Sequence, residues 1–594
     1  MCLFIDEARK HVLTKITKTK QKYKKKGSDH NVLQTKFKCE IMKITKEKVE
    51  VYNLKNKECQ AQFKEYTSKD KILSGIFNNN DDPNTVTQVL IKKINGCIAK
   101  NFTKRRMNNK KDEQNKELYD KMRTLKDKSD DESKKELQKV EDAIAEANEE
   151  KAKIVRDEIN GSKYNDETMN ANKIWKLKKR LCPNAMAPPS AMLDKEGNIL
   201  TTYDGIKERA LEVYAERLAP NKIEKHLENL EKARNELCET RLKLAKMNKT
   251  KPWDMDDLVE VLKNLENDKS RDAEDHANDL FKESAAGSDL LKVILKLMNL
   301  IKEKQEYPRI MEKCNITSLH KKGSKREFSN YRGVFRVSVL RSILDRLLYN
   351  SSYETIDENL TDGNVGARKR RGCRDNIFVI SAISNSVIKG RFPAIQVQVT
   401  DVKTCFDKLW LENCTNALFE NGLKNDMLNL LSLENRNAQI AVKFNNQVSR
   451  RINVTNVEIQ GSVWSSLKCT SVMDTLNKKV MSNKSLQYFY KQDKNIPIGI
   501  RGMVDDTLGI SQCGKTSNEL NIVINSFVET QRLQLSKEKS VVVHIGSKQT
   551  CKQTCPKLKV HNAQNILEIL FPLQVAFPIQ SRTDGTKAEA RWLR

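Results

Sequence analysis

The chain has 594 residues, with 108 Lys+Arg against 79 Asp+Glu and a formal charge of +29. That length allows about three or four domains with a sizeable core. A basic surplus of this size calls for an anionic partner, nucleic acid before a membrane surface or an acidic protein. The start has no apolar segment of signal-peptide length, and the stretch from Ile566 to Ile579 is too short and too broken by Glu568, Pro572, Gln574 and Pro578 to span a bilayer. The 14 cysteines follow no regular framework. A secreted or integral membrane protein is therefore excluded and a nuclear or cytoplasmic one expected, with reduced thiols.

In chain order, residues 1–50 are crowded with lysine, including Lys15, Lys18, Lys20, Lys22, Lys24, Lys25 and Lys26. Such a run is a solvated segment, a phosphate contact, or both. From about 110 to 160 there is neither Pro nor Gly, and Leu137, Val140, Ile144 and Ala147 recur at helical spacing before Lys151 interrupts the seam. This is too short a heptad run for a long coiled coil. Pro183, Pro188 and Pro189 mark a loop and Asp194–Gly197 a turn. A helix near 223–244 places Leu227, Leu230, Leu237 and Leu244 on one face, so 51–252 reads as a charged helical connector. At Trp253 the pattern changes: Asp254 is an N-cap for a helix that turns Leu258, Val259, Leu262 and Leu265 inward. A further helix over 290–301 carries Ile294, Leu295 and Met298. Beyond Pro308 helices alternate with short β-rich runs to about 546, an α/β or α+β pattern.

Two segments carry chemistry. In Pro393–Asp401, Ile395, Val397 and Val399 alternate with polar residues as in a half-buried strand. Asp401 continues the apolar face, where an unpaired carboxylate is costly, so a cation is expected against it. In Gly502–Ile510, two β-prone arms flank Asp505–Asp506, a pair suited to the tip of a hairpin turn. If the two strands are neighbours, three carboxylates converge, a donor set for two Mg²⁺ ions, which with Mn²⁺ as the alternative would clamp the oxygens of an in-line phosphoryl transfer.

The segment 253–546 resembles the reverse transcriptase of non-LTR (LINE-type) retrotransposons, on six blocks in the family's order. Asn315–Gly323 with Phe328–Gly333 is similar to the fingers block that ends in Asn-Tyr-Arg. Asn364–Asp375 is similar to the block of template contacts, Asp401–Asp407 to motif A, Gln460–Trp464 to motif B, Met503–Asp506 to motif C and Leu535–Lys539 to motif D. The resemblance implies an α+β right-hand fingers and palm, a small antiparallel sheet with flanking helices, preceded by a mostly helical region. It implies a metal site at Asp401, Asp505 and Asp506, and Phe406 under the sugar of the incoming dNTP. Lys322 and Arg332 would meet the triphosphate, Gln460 and Gly461 would line the nucleotide and template pocket, and Lys539 would donate a proton to the pyrophosphate. The implied partners are an RNA template, a DNA primer and dNTPs, with no membrane.

Gly27–Leu33 resembles the last motif of the apurinic-type endonuclease domain that precedes this reverse transcriptase, with Asp29 and His30 as an inactive remnant because the rest of that domain is missing. The chain is thus expected as an endonuclease remnant over 1–50, a connector over 51–252, fingers and palm over 253–546, and a degenerate tail over 547–594 without a thumb. Three departures stand out: Asp268–Asp275 in place of a Pro and Gly turn, Cys405 in place of a small residue, and Met503–Val504 in place of an aromatic–Ala pair. Cys551, Cys555 and His561 are too poorly spaced for zinc. The alternatives are a catalytically inactive nucleic-acid-binding relic of the same retroelement, and a helical scaffold with a chance Asp-Asp pair.

Overall fold

The computed structural model describes 50–106 in part, short stretches between 118 and 150, and 191–546 with brief interruptions at 220, 268, 283–287, 322, 445–446, 455–457, 460, 491–495, 513–514 and 537. Asp29, His30, Lys322, Gln460, the lysine run and the tail 547–594 therefore lie outside the described residues.

Helix α1 (Pro83–Asn101) is started by Asp82, whose side chain accepts from Thr85 N. Helices α2 (Tyr203–Leu218) and α3 (Glu228–Met247) follow. Helix α4 (Met255–Lys263) begins with a reciprocal capping box between Asp254 and Asp257. It buries Val261 with Leu258, Leu262 and Leu265, whereas Val259, expected inward, is only half-buried. Helix α5 (Asp289–Lys304), capped by Ser288, packs Ile294, Leu297 and Met298 into the same core as Leu90 and Ile94 of α1 and Ile343 and Leu347 of α6 (Val339–Asn359). The seam residues Val140 and Ile144 pack locally, against Leu125.

The first sheet contains β1 (Lys313–His320), β2 (Tyr331–Val337), β4 (Ala438–Phe444) and β5 (Ile452–Val454) in the order β5-β4-β1-β2, with β1 and β4 parallel. Ile206, Ala210, Leu211, Tyr214 and Leu218 of α2 share a core with Cys314, Ile316, Phe335 and Ile440 of this sheet. The span expected as a connector thus supplies one wall of this sheet's core. Helix α3 is also bound in, but not by its leucines. Leu230, Leu237 and Leu244 face outward at 41%, 44% and 53% exposure, while Cys238 and Ala245 are buried on the opposite face. Arg241 Nη2 meets Glu420 Oε1 at 2.9 Å on α8 (Leu411–Glu420), and Arg532 pairs with Glu231.

The second sheet holds β3 (Ile395–Thr400), β6 (Arg501–Met503), β7 (Asp506–Gln512) and β8 (Val541–Ile545), all antiparallel, in the order β6-β7-β3-β8. One face packs Ile395, Val397, Ile510 and Val543 against Ile380 and Ile383 of α7 (Cys373–Ile388). The polar face of β3, expected in solvent, is buried too: Gln396, Gln398 and Thr400 are at most 6% exposed. Gln398 Nε2 is satisfied there by Ser517 O at 2.6 Å and Ser517 Oγ at 2.9 Å, at the start of α11 (Lys515–Thr530). A central strand covered on both sides keeps alternating polarity only when its polar side chains find such partners.

Between the sheets, α9 (Asp426–Leu433) ends beside a buried charge network. Lys468 of α10 (Ser465–Met481) meets Glu434 at 2.7 Å and Glu458 at 2.9 Å, and Arg341 of α6 meets Glu434 at 2.5 Å. Burial alone would push the Glu434 carboxyl up, but Lys468 and Arg341 outweigh it and hold the group below its ordinary value. Removing Lys468 leaves Glu458 buried without its cation and Glu434 with Arg341 alone. Lys468→Met is expected to cost about 3–5 kcal/mol, read as a lower urea midpoint at unchanged slope.

Candidate active site around the end of strand β3

The ladder between β3 and β7 sets the site. Thr507 stands opposite Thr400, and their hydroxyls bond to each other. The next step along the ladder brings Asp506 beside Asp401. Met503 pairs with Asp506 across the hairpin, so the two turn residues are Val504 and Asp505. The turn lies one residue earlier than expected: Asp505 sits at the tip, and Asp506 opens β7 because it still belongs to the ladder. The like charges register in their titration. Burial and then Asp506, with Asp401 adding, push Asp505 up to about 6, and partial burial and Asp401 raise Asp506.

The cation expected against Asp401 is Lys539, whose Nζ donates to Asp401 Oδ2 at 2.7 Å. The chain from 534 to 540 is laced to the end of β3: Lys403 N donates to Gln534 O at 2.8 Å, Ser536 N to Asp401 O at 2.8 Å, and Asp401 N to Ser540 Oγ at 3.3 Å. That lacing places Lys539. Phe406 lies in the short helix Cys405–Lys408, half-buried beside Val402, Cys469 and Val504.

Arg332 is exposed on β2. It faces a second corner centred on Asp407, which burial pushes up to about 6 against the opposing charges of Arg217, Lys408 and Arg332. Arg217 comes from α2 and donates to Tyr331 O at 2.8 Å; sequence reasoning missed it because α2 reads as connector. Gly461 has φ +112°, and a Cβ there would stand 3.2 Å from Phe335 O, so glycine is required at that approach. Asn364 and Asn376, also missed, bond to the hairpin: Asn376 Nδ2 donates to Gly502 O at 2.8 Å. Nothing in sequence spacing announces which main-chain group a buried amide will meet.

Asp401, Asp505 and Asp506 offer only hard oxygen donors, and Asp505 and Asp506, raised by burial and then by neighbouring carboxylates, would be relieved by a cation beside them. Both observations fit Mg²⁺. Among the described residues, no three His, Cys, Asp or Glu side chains are gathered closely enough to enclose a metal, and the Lys539 ammonium is the cation that Asp401 holds.

No family model and no curated protein matches the chain. Among solved structures it is similar to an apo telomerase from Candida tropicalis truncated from its C-terminal domain, with 13% identity and a TM-score of 0.31 over 45% of this chain. It spans 63% of that structure. Among the described residues, no helix is long and apolar enough to cross a membrane.

A group raised from 3.8 to about 6 costs stability that is absent below the lower value and complete above the higher one. Asp505→Asn is therefore expected to be more stable than the parent at pH 8, by about 1–3 kcal/mol, with the gain vanishing below about pH 4. Urea unfolding at the two pH values checks it.

Proposed function

We propose that 253–546, with the helices packed on it, is the fingers and palm of an RNA-directed DNA polymerase of the non-LTR retroelement type. The observation that carries the proposal is that Asp401 and Asp506 follow the last pair of the β3–β7 ladder, with Asp505 at the adjoining turn, and that their charges act on one another. Three neighbouring carboxylates, offset only in part by Lys539, on a strongly basic chain suit a substrate that is itself a polyphosphate on a nucleic acid. The six ordered blocks described above support the same reading.

In this reading Asp401, Asp505 and Asp506 would hold two Mg²⁺ ions, which would neutralise charge on the triphosphate and favour deprotonation of the primer hydroxyl. The primer O3′ forms a bond to the α-phosphorus of a dNTP while the bond from that phosphorus to the bridging oxygen breaks and pyrophosphate leaves. Lys539, held beside the site by its bond to Asp401, would give a proton to the leaving pyrophosphate. Arg332 binds phosphate oxygens, and Phe406 fills the space under the sugar and selects against a 2′-hydroxyl. Gly461 lets the backbone approach the base pair. The partners are an RNA template and a DNA primer.

A second reading rests on the open geometry of the carboxylates and the lysine already on Asp401: a palm that binds nucleic acid without synthesis. The experiment is extension of a DNA primer on an RNA template with Mg²⁺ and dNTPs. Synthesis by the parent chain and its loss, by about 10³-fold or more, in Asp505→Asn is the expected result. Equal signal from both proteins rejects the polymerase reading, and salt-sensitive binding with no Mg²⁺-dependent product favours the second.

A further inference from the structure

The hairpin that carries Asp505 turns through Val504, whose φ is +63°. A two-residue turn commonly puts Gly, Asn or Asp where φ is positive, and a β-branched residue there is strained by about 1–3 kcal/mol. The turn keeps this shape because a third segment grips it. Asn364, 3% exposed, donates from Nδ2 to Val504 O at 3.0 Å, and its Oδ1 accepts from Val504 N at 3.3 Å and from Gly366 N at 2.9 Å. One side-chain amide thus occupies both main-chain polar groups of the strained residue.

The approach is close enough to forbid a side chain next door: a Cβ on Gly366 would stand 2.2 Å from Val504 N. The main chain docks as well, Val365 N donating to Gly502 O at 3.0 Å and Gly502 N to Gly363 O at 2.9 Å. These contacts bring Asn364, more than a hundred residues distant in sequence, to the turn beside Asp505 and Asp506.

We infer that Asn364 is a positioning residue: it holds the Val504–Asp505 turn in the conformation that keeps Asp505 in the carboxylate cluster, acting through the main chain of Val504 and touching neither cation nor substrate. The consequence for function rests on the cluster being a cation site, as proposed above; the grip on the turn does not.

The test uses the full chain and four proteins: the parent, Asn364→Ala, Val504→Gly, and the double variant. Glycine takes positive φ without help, so Val504→Gly should rescue the loss of Asn364. Two measurements are made, amide hydrogen exchange over 502–507 and Mn²⁺ affinity by titration. In Asn364→Ala, exchange at the turn is expected to speed up by about tenfold or more, and Mn²⁺ affinity to fall by about 10–100-fold, the usual effect of losing a residue that orients a ligand. In the double variant both should return to within about threefold of Val504→Gly.

Unchanged exchange in Asn364→Ala, or a loss that Val504→Gly leaves unrescued, overturns the inference. If the parent binds no Mn²⁺ while the exchange still responds and is rescued, the grip stands and it is the cation-site reading that fails. Should Asn364→Ala not fold, folding of the double variant is the same rescue, and failure of both to fold overturns it.

Discussion

The register between β3 and β7 brings three carboxylates to one end of a sheet covered on both faces. The charges act on one another: after burial, Asp506 and Asp401 both push the Asp505 carboxyl up, and Asp401 does the same to Asp506. Around this crowding the neighbouring structure supplies restraint: the Thr400–Thr507 hydroxyl pair fixes the ladder immediately below the charges, the 534–540 segment wraps the end of β3, and Lys539 offsets part of the field. Burial first, and the neighbouring carboxylates after it, still leave Asp505 and Asp506 raised.

Restraint comes from buried polar groups more than from packing. The hairpin is gripped by amide side chains: Asn364 at Val504, Asn376 at Gly502, and Asn477, whose Oδ1 accepts from Ile500 N at 2.9 Å. Glycines at 363 and 366 allow the chains to approach, since a Cβ on Gly363 would lie 1.9 Å from Asn477 Nδ2. Elsewhere, Arg341, Glu434, Lys468 and Glu458 form an ion network, and Ser462, next to Gly461, donates to Glu434 at 3.5 Å. Apolar packing tolerates small slides, whereas a buried amide or ion that loses its partner costs the full desolvation of the group. Directional bonds therefore fix the relative position of strand ends to a degree that leucines could not.

Much of the layout was legible in the sequence, for reasons that individual residues make plain. The capping box of Asp254 and Asp257 is local chemistry and reads directly. Asp401 at the end of an apolar alternation demands a cation, and the structure supplies Lys539. The turn was displaced by one residue because Asp-Asp is a common turn pair, whereas here Val504 takes the positive φ that the pair would normally supply. The polar face of β3 looked solvent-facing because Ser517, the partner of Gln398, is 119 residues away. Helix α3 shows the converse failure. Its leucines mark an apolar stripe, but the face that docks is chosen by small residues and arginines, Ala245, Cys238 and Arg241, which carry little periodic signal.

Two lysines that meet carboxylates in this fold, Lys468 and Lys539, differ in what their ion pairs do. Lys468 is 2% exposed with carboxylates that are no more than 1% exposed, so its removal strands charge in a medium that cannot solvate it. Lys539 is half-exposed and Asp401 partly so. A pair of that kind is worth about 1 kcal/mol at most, because water screens it in place and solvates both partners when they separate. The first pair is architecture. The second is weak enough to open without loss of the fold. In the reaction proposed above, a dication taken up by the carboxylates would displace the ammonium at little cost, and Lys539 would then be available to the leaving group.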